Sequence, residues 1–341
     1  MKDFKINLQL FANQVQTTLL DGLSPEMKTF YDMTLIDEAS AQLVHDQFGQ
    51  KRPIPKGGGK TIEFRKFSSL PKATTPITEG VTPDGKSLTV TSITSTVAQY
   101  GDYITQSDVL ELTALDNTIL EATKLLGKQA GSTLDTVVRN VLVAGTNVTY
   151  CPKVASGAET AVTSRSGMDT TSKLTVKVIQ KVVAKLRGQN APTINGKYVA
   201  IIHPYVAYDL MRDPEWIDAH KYANPTNLYE GEIGEIAGVR FVQTTEAKVW
   251  NDNTCPSDGA SGHHSVFATL VLGDGAYGVT EVTGGGLQTI VKQKGSAGTA
   301  DPLDQRSSVG WKAIKTAELL VPNYLVRIES CSPDFDTTAA N

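Results

Sequence analysis

Long apolar runs are missing from this sequence. No stretch approaches the ~18 residues that a membrane-crossing helix needs, so a helical membrane protein is excluded and no membrane partner is expected. Cysteine is scarce and odd in number. Cys151, Cys255 and Cys331 lie far apart, which excludes a disulfide-stapled module and points to reduced thiols of intracellular origin. Neither charge dominates: 32 basic against 36 acidic residues give −4, so the chain as a whole has no electrostatic case for wrapping nucleic acid. The opening MKDFKINLQLFANQ lacks the small-residue cleavage site of a signal peptide, and the sequon Asn147-Val148-Thr149 has no secretory context. Internal repeats and low-complexity blocks are absent as well. What is present is 40% hydrophobic and 20% charged residues in 341, the profile of a globular chain with room for about two domains of ~150 residues.

Signatures of catalysis are equally thin. Gly57-Gly58-Gly59-Lys60-Thr61 imitates a phosphate loop, but Ile54 stands where the first glycine belongs. A double-proline segment precedes it and a β run follows, so a tight glycine turn is the better reading. His263-His264 are neighbours on a loop and cannot easily share one metal ion, and no Cys or carboxylate lies at ligand spacing nearby. His203 sits at the end of an apolar strand, where an α/β enzyme can place a histidine, yet no GxSxG elbow or Cys–His pairing supports it. Catalytic residues, cofactor and metal are therefore all expected to be none.

The informative stretch is Lys51–Tyr100. Two strand-like runs, Thr61–Phe67 (TIEFRKF) and Leu88–Tyr100, flank a connection from Ser68 to Ser87 punctuated by Pro71, Pro76, Gly80, Pro83 and Gly85. Ile62 and Phe64 share one face, Glu63 and Arg65 the other, and the phase slip between Val90 and Ile93 predicts a bulge. A loop beyond ~12–15 residues is unusual in a compact domain. This one is too rich in large apolar groups for plain disorder, and a two-stranded ribbon is marginal alone in water. The expectation is a long β-arm whose apolar groups are covered either by its own chain or by a neighbouring copy. The residues expected at a subunit interface are Arg52, Lys60, Ile62, Phe64, Arg65, Lys66, Phe67, Leu70, Lys72, Glu79, Asp84, Val90 and Ile93. Their charges would set register rather than affinity.

Around the arm, residues 1–24 read as a terminal arm. A helix capped by Ser24-Pro25 reads to about Phe48-Gly49, and Arg52-Pro53-Ile54-Pro55 reads as extended backbone without inward hydrogen-bonding demand. The stripe Ile119, Ala122, Leu126, Ala130, Leu134, Val137, Val141 predicts a spine helix from Asp116 to Gly145, about 45 Å long. Within it Gly127 and Gly131 suggest a close helix contact or a local bend. Residues 150–172 read as a polar loop with a short hairpin. An α/β block follows: a helix over Leu174–Leu186, strands at Tyr198–Ile202, Gly238–Val242 and Val266–Leu272, a loop after Asp213-Pro214-Glu215-Trp216 to about Asn227, and another over Asn251–His264. Strands at Leu287–Val291, Val309–Leu320 and Tyr324–Ile328 then close the chain before a loose tail from Ser332.

The strings VHDQFGQKRPIPKGGGKTIEFRKF (Val44–Phe67), EGVTPDGKSLTVTSITSTVAQYGDYITQSD (Glu79–Asp108), YVAIIHPYVAYDLMRDPEW (Tyr198–Trp216), GVRFVQTTEA (Gly238–Ala247) and IVKQKGSAGTADPLDQRSSVGWKA (Ile290–Ala313) resemble tailed-bacteriophage major capsid proteins, in the branch related to the capsid protein of coliphage N-four. NLQLFA (Asn7–Ala12) is similar to the start of capsid proteins from phages of Gram-positive hosts. The resemblance runs from about Met27 to Ser330. It implies an α+β chain of the Hong Kong ninety-seven-type fold: an N-terminal arm and helix (1–50), an extended β-hairpin loop over a neighbour (51–100), a peripheral domain (101–172 and 280–331) with the spine helix, an axial domain (173–279) and a tail (332–341). The implied function is a self-assembling shell of hexamers and pentamers enclosing double-stranded DNA without sequence-specific binding. Assembly would take place in the host bacterial cytoplasm with a portal. The lack of a long N-terminal extension points to a separate scaffolding protein, and no cross-linking constellation is recognisable. The rivals are a ring-forming head–tail connector and an α/β hydrolase.

Overall fold

The computed structural model describes residues 33–341, apart from 34, 37, 40–42, 68–69, 83, 114–117, 156, 222–233, 260–261 and 297–300. In chain order the strands are β1 (Gln50–Lys51), β2 (Thr61–Phe67), β3 (Val90–Thr96), β4 (Ala98–Ser107), β5 (Val148–Tyr150), β6 (Lys153–Ala155), β7 (Ala158–Thr160) and β8 (Tyr198–Ile202). They continue as β9 (Glu235–Ile236), β10 (Val239–Gln243), β11 (Val249–Trp250), β12 (Val266–Leu272), β13 (Tyr277–Glu281), β14 (Gln288–Lys292), β15 (Arg306–Leu319) and β16 (Leu325–Cys331). The chain divides into two compact units. One takes the residues up to 40 with 101–130 and 287–312; the other takes 41–100, 131–286 and 313–341.

In the first unit β14 pairs antiparallel with the opening half of β15, from Gln288 opposite Lys312 to Lys292 opposite Ser308. The first half of the long helix Thr118–Val143 buries Ala122, Leu126 and Ala130. Gly127 is a close contact, as expected. A Cβ there would lie 2.9 Å from the Leu35 carbonyl oxygen and 3.0 Å from Glu38 Cβ, so only hydrogen fits between the two helical segments.

The second unit is built on a sheet ordered β5-β16-β12-β8-β10-β9, with β11 paired to β12. Tyr198, Ala200 and Ile202 of β8 enter one core with Ile179, Val182 and Leu186 of the helix Val176–Gly188. Ile201 enters another with Val138 and Leu142 of the long helix and with Leu270 and Leu272 of β12. Helices on both faces explain why β8 and β12 read as continuous apolar runs rather than alternating ones. The helical stripe was expected to end on Val137 and Val141, but the buried positions are Val138 and Leu142. Steps of four advance about 40° around the axis each time, so the buried line winds off the sequence's initial face.

Four further expectations are corrected. The helix expected to reach Phe48 stops earlier: Leu43 and Val44 are non-helical and His45–Phe48 form a turn. Asp135 is the cause, because its Oδ1 accepts the backbone N–H groups of Val44 (2.9 Å) and His45 (2.7 Å), taking donors a helix would use internally. The Ser24-Pro25 start and residues 1–24 lie outside the described residues. The double-proline segment does bond inward. Arg52 and Ile54 donate to the carbonyls of Val279 (3.1 Å) and Glu281 (2.8 Å), while Pro53 and Pro55 occupy the alternate positions where no donor is needed. After Asp213 the chain forms a helix, Pro214–Lys221, started by Asp213 Oδ1 accepting from the Glu215 N–H at 3.0 Å. The tail is not loose: Ser332 donates to Asp209 Oδ2 at 2.5 Å, and the Phe335 ring stacks on Tyr205 at 3.9 Å.

Candidate assembly interface

Strands β2 and β3 pair antiparallel over their whole length, Thr61 opposite Thr96 through to Phe67 opposite Val90. No bulge lies between Val90 and Ile93, where the phase slip predicts one: the two residues pair one-to-one with Phe67 and Phe64 and simply face opposite sides of the ribbon. The ladder ends only at Val97, whose N–H turns back to the Lys60 carbonyl at 2.9 Å before the chain continues into β4. At the other end of β2 the glycine run is a turn. Gly57 and Gly59 both sit at positive φ, and Gly58 donates to the Pro55 carbonyl at 2.9 Å.

Directly opposed residues of an antiparallel pair share a face. Ile62, Phe64, Ile93 and Ser95 therefore lie on one side, Glu63, Arg65, Phe67 and Val90 on the other. The first side is anchored in the chain itself. Phe64 is 3% exposed, seated against Gly278 of β13, where a Cβ would come within 2.9 Å of the ring. Arg52 lies over the same ring at 5.7 Å, and Ser95 Oγ meets Thr316 Oγ1 at 3.1 Å. Ile62 and Ile93 are half-buried, while Arg52, Lys60, Arg65, Lys66, Lys72, Glu79 and Asp84 are exposed.

Polar groups that sequence reasoning missed fix the arm's root. Asp135 of the long helix, fully buried, also places Oδ2 2.6 Å from His45 Nδ1. The Tyr277 hydroxyl donates to the His45 carbonyl, and burial together with nearby Asp46 pushes that phenol's pKa up. Lys315 is 2% exposed with its ammonium 3.0 Å from Asp46 Oδ1 and 3.7 Å from Glu281. Their signal in the sequence is weak: an Asp and a Lys each inserted among apolar neighbours.

Beyond the root the large apolar groups of the arm are exposed among the described residues. Phe67 and Val90, a cross-strand pair, are 61% and 47% exposed; Leu70, Ile77, Val81 and Leu88 range from 54% to 75%. Six large apolar side chains on one continuous stretch form a surface that asks for a partner.

The groups weighed as catalytic serve the fold. His203 caps a helix, its Nδ1 accepting the Tyr205 N–H at 3.2 Å, and burial against Tyr205 and Phe267 lowers its pKa to about 4. Burial pushes the Cys331 thiol up to about 12 and raises Cys151 and Cys255 too, so all three are protonated. His264 pairs with Asp336 at 3.1 Å. Among the described residues no group of three His, Cys, Asp or Glu could hold a metal ion, and no helix is long and apolar enough to cross a membrane.

An α+β chain whose described residues leave a long apolar arm exposed has the character of a self-associating structural protein. Residues 5–297 match the phage capsid protein family, and the chain belongs to it. It is a major capsid protein, a virion component whose copies associate into the shell. The fold is similar to the capsid structure of cyanophage P-SCSP1u, with TM-score 0.63 and 13% identity over 84% of this chain and 87% of that one. It is also similar to cyanophage Pam1 (TM-score 0.62, 13% identity, 98% and 100% covered) and Helicobacter pylori bacteriophage KHP30 (0.61, 13%, 85% and 89%). No curated protein sequence matches the chain.

Proposed function

We propose that this capsid protein forms hexamers and pentamers that close into an icosahedral shell around double-stranded DNA, with the Hong Kong ninety-seven-type fold and a place in the N-four-related branch. The arm, 51–100, extends over a neighbouring subunit. Residues 101–172 with 280–331 form the peripheral domain and 173–279 the axial domain. Assembly proceeds in the host cytoplasm with a separate scaffolding protein and a portal. The DNA is enclosed without sequence-specific contact.

The observation that carries the arm's role is the exposed series Phe67, Leu70, Ile77, Val81, Leu88 and Val90. Covering it from another copy removes apolar area from water at ~25 cal/mol per Å². An interface of standard size, ~1,600 Å² in total, is then within reach of one arm and its receiving surface. Around a ring each further contact is effectively intramolecular, so modest contacts close a stable shell. Electron microscopy of the purified protein tests this. Closed particles with the arm of each subunit lying on the next are expected; particles in which the arm touches no neighbouring copy, or assembly that stops at a single ring, would overturn the proposed arrangement.

A further inference from the structure

We propose that the helix Val176–Gly188 is a phosphate-contacting surface through which each subunit touches the backbone of the packaged DNA. The inference rests on the reading that the shell encloses duplex DNA. The net charge of −4 averages over this helix, whose sequence VKVIQKVVAKLRG carries four cations and no acid. Its buried face is Val176, Val178, Ile179, Val182, Val183 and Leu186. Lys177, Lys181 and Lys185 follow one another at four-residue spacing on the opposite, exposed face, and Arg187 is exposed on the other flank of that face, near Gly238. Lys177 bonds Glu159 at 2.7 Å. Among the described residues Lys181, Lys185 and Arg187 have no carboxylate partner.

Helix stability alone does not account for this ridge. The macrodipole favours cations in the last turn, which explains Lys185 and Arg187 but disfavours Lys177 near the start. Like charges four apart repel, and glutamate, an equally good helix former, would have turned each repulsion into an attraction. An external anion reverses that balance. From Lys177 to Arg187 is about 15 Å at ~1.5 Å per residue. Over that length a DNA strand, at ~3.4 Å per phosphate, presents about four phosphates. The exposed face carries Gln180 and Ala184 between its cations and offers no aromatic or large aliphatic anchor. A protein partner would need such an anchor and a phosphate backbone does not.

The test uses full-length soluble subunits and a fluorescein-labelled duplex of two helical turns and arbitrary sequence, with anisotropy read at 50 and 200 mM salt. With three or four phosphate contacts, affinity falls roughly 40- to 150-fold across that range; in Lys181→Gln/Lys185→Gln it falls only about 4- to 12-fold. The same charge removed from the arm, Lys72→Gln/Lys86→Gln, leaves the wild-type salt dependence. An unchanged slope in the helix variant, no duplex binding by wild type, or binding of polyglutamate but not of DNA would each overturn the inference. Micrographs of the same preparations keep the two readings apart: normal shells with an unaltered slope defeat the helix proposal alone, whereas wild type that never forms shells defeats the assembly reading.

Discussion

The root and the outer half of the arm both carry large apolar side chains and differ in exposure among the described residues. Phe64 and Phe67 stand three residues apart on β2, on opposite faces, at 3% and 61% exposure. Phe64 sits against Gly278, and the backbone before it is tied to Val279 and Glu281. Phe67 faces Val90 across the ribbon and is otherwise exposed among the described residues. A hairpin alone is marginal in water, so the root must be fixed for the outer half to project at all. The buried Asp135–His45 and Lys315–Asp46 contacts supply that fixing. Burial is concentrated at the root, and among the described residues the outer half keeps its large apolar side chains exposed, the area that the proposed association would use.

The strongest way to break this division is to remove the outer half. Deleting Leu70–Leu88 and joining β2 to β3 through a short glycine turn should leave subunit stability within ~0.5 kcal/mol, since every described residue in that span is exposed. Shells should disappear from micrographs. Closed particles from the deleted protein would show that the arm is not needed. At the root, Phe64→Ala should cost ~3–5 kcal/mol in urea unfolding of the subunit, the range for emptying a buried aromatic site. A loss below 1 kcal/mol would mean that the seat at Gly278 contributes little.

Lys315→Met should come next. The ammonium is nearly buried between Asp46 and Glu281, and removing it leaves Asp46 with the more distant Lys51, at 3.6 Å, as its remaining ion-pair partner among the described residues. Losing one partner of a buried pair costs ~3–5 kcal/mol. Glu281 is half-exposed and Lys51 remains, so about 2–3 kcal/mol is expected by the same denaturant titration. A variant as stable as wild type would place the root's strength in its apolar contacts alone.

How far the sequence discloses this division depends on how local the cause is. β2, β8 and β12 fall on the residues the pattern predicts, because alternation or a continuous apolar run bounded by Pro, Gly and charge is local information. The turn over His45–Phe48 was hidden because Asp135, which redirects its backbone, lies 90 residues away from His45. The docked tail was hidden for the same reason: Phe335 looks like any polar-segment aromatic until Tyr205 is beneath it. At the interface the expected residues were a mixture. Alternation separates Phe64 from Phe67 by face, but only Gly278, far along the chain, decides which face its own fold covers.

The finest test of the comparison acts on association and leaves folding alone. Ile77 is 75% exposed on the outer arm, so Ile77→Ser should change subunit stability by less than ~0.5 kcal/mol. If a neighbour buries that side chain, truncating it removes more than ~1 kcal/mol from each contact, and a shell repeats the loss at every copy. The concentration at which shells first appear, read by light scattering, should then rise about fivefold to tenfold. The same change at Leu303, as exposed but off the arm, serves as the comparison. Equal shifts at both positions would mean that exposed apolar area of any kind drives assembly, and the contrast between root and outer half would lose its functional meaning.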